Sequence, residues 1–212
     1  MTLEEKPVAI VLLLTAGLDW STLRPNGAGV SRCIAAGSAV KMFMQGGLYT
    51  PRLIVVGGYP GVIDDGGNRL YTLAGIHAAE FIRLYPEYQE AVAIIDGSQD
   101  ATVDDIPAGF QAYERRYGPL PKDVQIYCAS YDAHTQRAGY SIAAMGFTNF
   151  QERFSGETPM YPPAVDAAVN CVTRFDRRWR WPLGWILRWL ANRQAEKHRQ
   201  DFAAAKAALK AV

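Results

Sequence analysis

The sequence is poor in the residues that mark disulfide-bonded or metal-binding proteins. Its 212 residues include only three cysteines, Cys33, Cys128 and Cys171, and no CxxC pair or Cys/His ligand spacing occurs. This excludes a disulfide miniprotein, predicts reduced thiols, and leads us to assign no metal ligand. The GxSxG, HExxH, GxGxxG and P-loop patterns are also absent, so no standard nucleophile or phosphate-binding motif identifies a reaction.

Long hydrophobic runs are missing as well. The apolar run Val8–Leu14 has seven residues, too few to span a bilayer. Glu4 and Glu5 make its flank net negative and Pro7 opens it, which is unlike a secretory signal peptide. We therefore expect a buried first strand and a cytoplasmic protein, with the C-terminal tail as the part that would place it peripherally at a membrane.

Positive charge is concentrated at the C-terminal end of the chain. The formal net charge of +1 is a sum over two unlike parts. Residues 1–173 hold 12 Lys/Arg and 18 Asp/Glu, a net of −6, whereas residues 174–212 hold 10 and 3, a net of +7. The same C-terminal part holds four of the five tryptophans. With 49% apolar and 20% charged residues, the composition excludes a disordered, collagen-like or coiled-coil chain.

Apolar, β-branched runs alternate with helical segments through most of the chain. Each run is almost continuously apolar, as expected of a strand covered on both sheet faces. This alternation predicts an α/β, Rossmann-like three-layer sandwich with a mainly parallel sheet of about five strands. We assign residues 1–160 to this domain and residues 161–212 to a basic, tryptophan-rich helical extension packed on or beside it. The predicted strands are Val8–Leu14, Leu53–Val56, Ala91–Ile95, Val124–Cys128 and Phe147–Phe154, and the predicted helices are Ser31–Gln45, Leu70–Leu84, Ile106–Tyr117 and Thr135–Met145.

The segment after the fourth predicted strand carries the most chemistry. His134 and Arg137 are three residues apart and share one face of a helix, where the helix N-terminus adds positive charge. These groups favour an anion: Arg137 binds it, and His134 serves as general acid or base, oriented by Asp132. Ser130 is a further candidate substrate-binding residue. The same residues equally fit an Asp N-cap followed by a surface histidine and arginine.

Three other segments follow predicted strands and are rich in glycine or polar residues. Gly57 and Gly58 would allow a ligand to approach the backbone closely. Arg32, in the first predicted helix, is expected to reach the same anion as Arg137, or else to be a solvated helix arginine. Because the carboxyl ends of parallel strands lie at one edge of a sheet, we expect these groups to converge there.

The third of these segments, residues 96–105, is acidic. Its side chains would accept hydrogen bonds from ligand hydroxyls or bind Mg²⁺, but helix capping by Asp100 or Thr102 explains the same pattern. We therefore treat the segment as ligand-binding and not as a metal site. Its candidate substrate-binding residues are Ser98, Asp100, Thr102 and Asp104.

In their order along the chain, these motifs resemble those of the YdcF-like family of SanA-, ElyC- and YdcF-type proteins. The resemblance covers roughly residues 8–150. Tyr131 stands at the family's serine position and Ala101 at an asparagine position, so the match is incomplete. The matching residues are Asp132, His134, Arg137 and Ala138 in the Ser-Asp-x-His-x-x-Arg-Ala motif, Arg32 as the helix arginine, Gly57 and Gly58 as the glycine pair, and Thr102, Asp104 and Asp105 as a Thr, Glu and Asn.

The resemblance implies a Rossmann-like fold and links to envelope processes, lipid carriers and adenosylmethionine binding. The leading hypothesis is a YdcF-like hydrolase or transferase acting on a small anionic phosphoester, such as a nucleotide or a phosphorylated lipid carrier. One alternative is a protein that binds S-adenosylmethionine or a nucleotide without hydrolytic activity. Another is a membrane-surface interaction protein that acts through its tail. No other cofactor is assigned.

The tail contains an apolar stripe on a basic helix. Trp185, Ile186, Trp189 and Leu190 follow an i, i+1, i+4, i+5 spacing after Pro182. Tryptophan and arginine together suit an anionic membrane surface, but packing on the acidic body or formation of a homo-oligomer explains the stripe as well. We do not expect nucleic-acid binding, since the body beside the tail is acidic.

Overall fold

A computed structural model describes residues 6–58, 71–99, 101–154, 162–175 and 182–210. Seven strands, six α-helices and one 3-10 helix lie in these ranges. The elements are β1 (Val8–Leu14), β2 (Leu18–Asp19), β3 (Arg24–Pro25), α1 (Gly27–Gly46), β4 (Thr50–Val56), α2 (Leu73–Leu84), a 3-10 helix (Pro86–Ala91), β5 (Val92–Asp96), α3 (Thr102–Tyr117), β6 (Gln125–Ser130), α4 (Asp132–Ala144), β7 (Phe150–Phe154), α5 (Pro163–Phe175) and α6 (Pro182–Lys210).

Five of the strands form one parallel sheet in the order β5-β4-β1-β6-β7. This is the Rossmann strand order, in which the first strand is central and the chain reverses direction across the sheet beside it. The predicted α/β class and the five-stranded parallel sheet are confirmed. β1 pairs with β4 and with β6, so the carboxyl ends of these three strands lie side by side.

The alternating side chains of the strands divide the core into two layers. Ile10, Leu12 and Leu14 of β1 are buried against α3 and α4, whereas Val11 and Leu13 face α1 and α2. All of these side chains are almost fully buried, which explains why the strand is apolar at every position. Cys33 and Cys128 belong to these layers, while Cys171 is exposed, and all three are free thiols.

Helix boundaries differ from the sequence prediction by up to four residues. α1, α3 and α4 begin earlier than predicted, because polar residues and glycines occupy their first turns. Asn26 caps α1 by accepting a hydrogen bond from the Gly29 N–H. β2 and β3, which pair antiparallel, and the 3-10 helix were not predicted, since elements so short show no periodicity.

α5 and α6 follow the sheet and lie over its carboxyl edge. α6 places Leu187 and Ala191 against Ala101 and Val103, and it places Phe202 against Leu18 and Leu73. Within the described residues, no helix combines the length and the apolar character that crossing a bilayer requires.

Candidate functional site

A cavity of about 580 Å³ lies at the carboxyl edge of the sheet. Leu14 and Val56, the last residues of β1 and β4, and Tyr131, directly after β6, form part of its floor. This is the point where the strand order reverses, at which open α/β sheets bind their ligands. The roof is apolar and comes from the C-terminal helices, through Val165, Val169, Leu187, Leu190 and Ala191.

His134 is at the polar end of this cavity and is held from both sides of its ring. Its Nδ1 lies 3.0 Å from the Ser130 hydroxyl and 3.3 Å from a guanidinium nitrogen of Arg32. Its Nε2 lies 2.9 Å from the hydroxyl of Thr102, the first residue of α3. The side chain therefore joins β6, α1 and α3 at the carboxyl edge of the sheet.

These contacts determine where the imidazole proton lies. A guanidinium group only donates hydrogen bonds, so Nδ1 of His134 is the acceptor and Nε2 carries the hydrogen. Burial and, after it, the charges of Arg32 and Arg137 hold the pKa of His134 well below its usual range. At neutral pH the ring is therefore uncharged, and its Nε2–H donates to the Thr102 hydroxyl oxygen.

Arg32 supports the site from behind. Its side chain is fully buried and does not line the cavity. One terminal nitrogen donates to the carbonyl oxygens of Leu14 and Thr15, at 3.1 and 2.6 Å, and its guanidinium lies 5.4 Å from the centre of the Tyr131 ring. The expectation that Arg32 contacts a ligand anion directly is therefore corrected: it fixes the end of β1 and the His134 ring.

Arg137 does line the cavity, but its guanidinium is already bound by the protein. It forms a buried ion pair with Asp166 of α5 at 2.8 Å, and it donates to Asn170 at 3.1 Å and to the Tyr131 hydroxyl at 3.0 Å. Arg137 therefore attaches α5 to α4 and adds positive potential near His134. The expectation that it binds an anion bidentately does not fit this geometry.

The glycine pair after β4 shapes the opposite wall. Gly57 has a φ of +148°, and a Cβ there would overlap the Thr15 Oγ1. The carbonyl oxygens of Gly57 and Gly58 accept hydrogen bonds from the N–H groups of Ala74 and Leu73. These contacts satisfy the first two N–H groups of α2, which are therefore not available to a ligand. The two glycines line the cavity with their backbone atoms.

The acidic segment before α3 contributes differently from what its sequence predicts. Thr102 and Asp105 line the cavity, whereas Asp104 forms an ion pair with Arg188 of α6. Ser98 is exposed and lies outside the cavity lining, and Asp100 lies outside the described residues. The N-cap position of α3 is Ala101, without a side-chain cap, so the capping explanation does not hold for Thr102.

Asp132 and Ser130, the remaining predicted residues, have separate positions. Asp132 is exposed, and its carboxylate accepts a hydrogen bond from Gln136 at 2.9 Å, so its described contacts do not orient His134. Ser130 is buried and donates to Nδ1 of His134. Ser130 therefore orients the His134 ring, a role that the sequence predicts for Asp132. Within the described ranges, no three His, Cys, Asp or Glu side chains gather in a metal-binding arrangement.

Several residues of the cavity or of its support are not among the predicted ligand-binding residues, although Asp105 belongs to a segment that resembles the family motif. Asp105 is 9% exposed and is the carboxylate that lines the cavity. Trp20 and His198 stack with ring centres 5.5 Å apart, and both contribute to the cavity wall. His77 stabilises the loop after β1, since its Nε2 accepts from the Ala16 N–H at 3.2 Å. Only Asp105 has a local signal, its place in the first turn of α3.

The cavity therefore combines a small polar end with a large apolar part. Because the Nε2–H of His134 donates to the Thr102 oxygen, the Thr102 hydroxyl hydrogen and the Asp105 carboxylate offer one hydrogen-bond donor and one acceptor to a ligand. Pockets of this composition bind small molecules with one polar and one apolar region. Comparison with protein-family models, with curated proteins and with solved structures finds no match for the chain.

Proposed function

We propose that the protein is an enzyme acting on a small phosphoester, and that the phosphate binds beside Thr102 and His134 in this cavity. The observation that carries the proposal is the contact between the Thr102 hydroxyl and Nε2 of His134, at the polar end of an otherwise apolar cavity. The resemblance of the post-strand motifs to the YdcF-like family supports the same substrate class.

The two buried arginines favour an anion beside His134, whereas the Asp105 carboxylate, which also lines the cavity, opposes one. After burial, the charges of Arg32 and Arg137 lower the pKa of His134, so both arginines contribute positive potential at the imidazole. A phosphate oxygen at this position gains from the same potential without displacing either arginine from its protein partners. The guanidinium groups therefore act on the ligand through the field, while the hydrogen bond comes from the Thr102 hydroxyl, which His134 polarises by donating to its oxygen.

His134 is suited to donate a hydrogen bond and poorly suited to remove a proton. Because Ser130 and Arg32 occupy Nδ1 and the proton is on Nε2, no acceptor nitrogen is directed at Thr102. Through the Thr102 hydroxyl, a neutral imidazole donor stabilises negative charge that builds on a phosphoryl oxygen. Asp105 is a cavity group able to accept a proton or to bind a ligand hydroxyl.

A second candidate is a protein that binds a nucleotide or S-adenosylmethionine without turnover. The specific observation in its favour is the occupied Nδ1 of His134, since a fully held imidazole positions a ligand but performs little acid–base chemistry. The stacked Trp20 and His198 rings would then contact the apolar part of such a ligand, and Asp105 would accept hydrogen bonds from ribose hydroxyls.

The two candidates are separated by measuring binding and turnover on the same protein. Inorganic phosphate, adenosine monophosphate and S-adenosylmethionine serve as probes in calorimetry, and p-nitrophenyl phosphate and its diester serve as substrates. The enzyme proposal predicts phosphate or nucleotide binding together with ester hydrolysis. Tight binding of S-adenosylmethionine without any hydrolysis would support the second candidate instead.

Adjacent carboxylates provide a matched pair of variants. Asp105→Asn changes a side chain that lines the cavity, whereas Asp104→Asn changes one that lies outside the lining and pairs with Arg188. We expect Asp105→Asn to weaken binding or turnover at least about tenfold, as loss of a buried polar contact to a ligand costs about 1–3 kcal/mol. Asp104→Asn is expected to leave both unchanged. Equal effects of the two substitutions would place the ligand outside the cavity.

A further inference from the structure

α6 has two faces, and the described residues pack against one of them. Ala195 and Phe202 are almost fully buried, and Leu187 and Ala191 pack against the start of α3 and against α5. These positions fall on one side of the helix, at spacings of four, four and seven residues. This side attaches α6 to the body. It differs from the side that carries the apolar stripe of Trp185, Ile186, Trp189 and Leu190, here called the tryptophan stripe.

The tryptophan stripe faces solvent. Trp185 is 63% exposed, and Ile186 and Trp189 are each 54% exposed. Leu183 and Leu190, at the border with the packed side, are 65% and 50% exposed. Five large apolar side chains are therefore presented together by the first three turns of the helix. Scattered exposed apolar residues are ordinary, but a contiguous group of this kind marks an interaction surface.

Basic side chains continue the stripe. Trp185, Trp189, Arg193 and Lys197 follow one another at intervals of four residues, so they form one row along the helix. The Arg193 guanidinium lies 4.9 Å from the centre of the Trp189 ring, and Arg193 and Lys197 are exposed. The sequence from residue 177 to residue 195 contains no acidic residue. The row is thus apolar at one end and positive at the other.

We propose that this face of α6 binds the surface of an anionic lipid bilayer, with the helix lying in the plane of the headgroups. The tryptophan rings and Ile186 would insert at the boundary with the acyl chains, and Arg193 and Lys197 would contact lipid phosphates. The net charge of +7 at residues 174–212, against −6 for residues 1–173, favours approach of the C-terminal part of the chain to a negative surface. The proposal goes beyond the proposed function and does not depend on it.

The size of the face favours a bilayer over a second copy of the chain. A stable protein dimer uses about 20–30 residues from each partner. Among the described residues, the exposed apolar group comprises five side chains in the first three turns of one helix. Insertion into a headgroup layer needs no complementary protein surface, and tryptophan with flanking arginine is the side-chain combination suited to that layer.

Co-sedimentation of the full chain with vesicles tests the proposal. Vesicles of phosphatidylcholine with phosphatidylglycerol are compared with vesicles of phosphatidylcholine alone, at low and at high salt. We expect retention on the anionic vesicles that falls with salt, and a loss of at least about tenfold in the partition coefficient for the Trp185→Ala/Trp189→Ala variant. Arg193→Gln/Lys197→Gln should lower it about fivefold per charge at low salt.

A matched variant and a solution measurement complete the test. Leu48→Ala removes an exposed apolar side chain far from α6 in the sequence and should bind like the unmodified chain. All these side chains are exposed, so circular dichroism should show unchanged folding. Equal binding of the tryptophan variant would overturn the proposal. So would self-association in ultracentrifugation that the tryptophan substitutions abolish while vesicle binding stays absent, since that outcome assigns the face to a second copy.

Discussion

The Arg32 guanidinium donates to Nδ1 of His134 across 3.3 Å, and this contact fixes the tautomer of the only histidine at the polar end of the described cavity. Ser130 donates to the same nitrogen, so the Nε2 hydrogen remains directed at Thr102. A buried arginine thus controls the chemistry of the site without contacting the cavity. Nδ1 of His134 thus has two donors from different parts of the fold: Arg32, 102 residues earlier in the sequence, and Ser130, the last residue of β6.

The first prediction concerns the protonation of His134. Because burial and two nearby guanidinium groups lower its pKa, we expect the ring to remain neutral and in the Nε2–H form from about pH 6.5 to about pH 8. Nitrogen-15 spectra of the imidazole side chains report the tautomer directly. A ring that titrates with a midpoint close to that of a free histidine would contradict this geometry.

The second prediction concerns the pH dependence of stability. Burial lowers the pKa of His77 to about 4, and its Nδ1–H donates to the Leu73 carbonyl at 2.8 Å. The unfolded chain therefore binds a proton below about pH 6.5 that the folded chain does not bind until about pH 4. As the pH is lowered from about 6.5 to about 4, the free energy of unfolding should decrease by about 3 kcal/mol because of His77 alone.

Urea unfolding at several pH values measures this contribution. His77→Gln should be less stable near neutral pH and should show a smaller decrease on acidification than the unmodified chain. Because the pKa of His134 is lowered too, acidification also destabilises the His77→Gln protein, but by less than the unmodified chain. An unchanged pH profile in the variant would show that His77 is not the buried neutral group described above.

The third prediction concerns the buried ion pair between α4 and α5. Asp166→Asn leaves the Arg137 charge buried without its carboxylate partner, and we expect a loss of about 3–5 kcal/mol in the free energy of unfolding. The exposed pair of Arg199 and Glu196, 2.9 Å apart, provides the comparison. Glu196→Gln should change stability by less than about 0.5 kcal/mol. Similar losses in both variants would indicate that Arg137 is hydrated in solution.

The fourth prediction concerns the backbone after β4. Gly57→Ala places a Cβ against Thr15 Oγ1 and forces a φ of +148° on an L residue. We expect a destabilisation of at least about 1–3 kcal/mol, together with weaker ligand binding, since both residues line the cavity. Gly27→Ala is a suitable control, because no atom lies within 4 Å of a Cβ there. A fully stable Gly57→Ala protein would be inconsistent with the conformation.

The sequence predicts the sheet well because burial on both faces leaves a strong local signal. Runs such as Val8–Leu14 are apolar at every position only if both layers of helices cover them. The edge at which the site forms follows from the same argument, and Gly57, Gly58, Thr102, His134 and Arg137 do line one cavity. Their convergence is a property of parallel topology, which the alternation of elements is enough to predict.

The partners of the charged side chains are less predictable. Arg137 is bound by Asp166, 29 residues further along the chain, and no local pattern signals a pair that forms only when α5 packs on α4. Asp104 and Asp105 are adjacent, and the 100° between them on a helix decides which one enters the cavity. The sequence places both in a first helical turn but does not show the direction of that turn relative to the sheet.

The C-terminal helix shows a similar limit. The stripe of Trp185 and Trp189 is the strongest apolar pattern in the tail, yet smaller residues such as Ala191 and Ala195 make the contact with the body. Small side chains allow close helix packing but contribute little to an apolar pattern. Periodicity identifies the amphipathic helix and leaves open which of its two sides is covered.

A phosphate-bearing ligand is proposed to bind at the hydroxyl of Thr102, which the Nε2–H of His134 holds in place. The most direct measurement is a nitrogen-15 titration of the histidine side chains with adenosine monophosphate and with inorganic phosphate. We predict a saturable shift of the His134 Nε2–H resonance, no shift of the buried His77, and loss of the response in Thr102→Val. A His134 resonance that stays unchanged at ligand concentrations where calorimetry shows binding would contradict the claim.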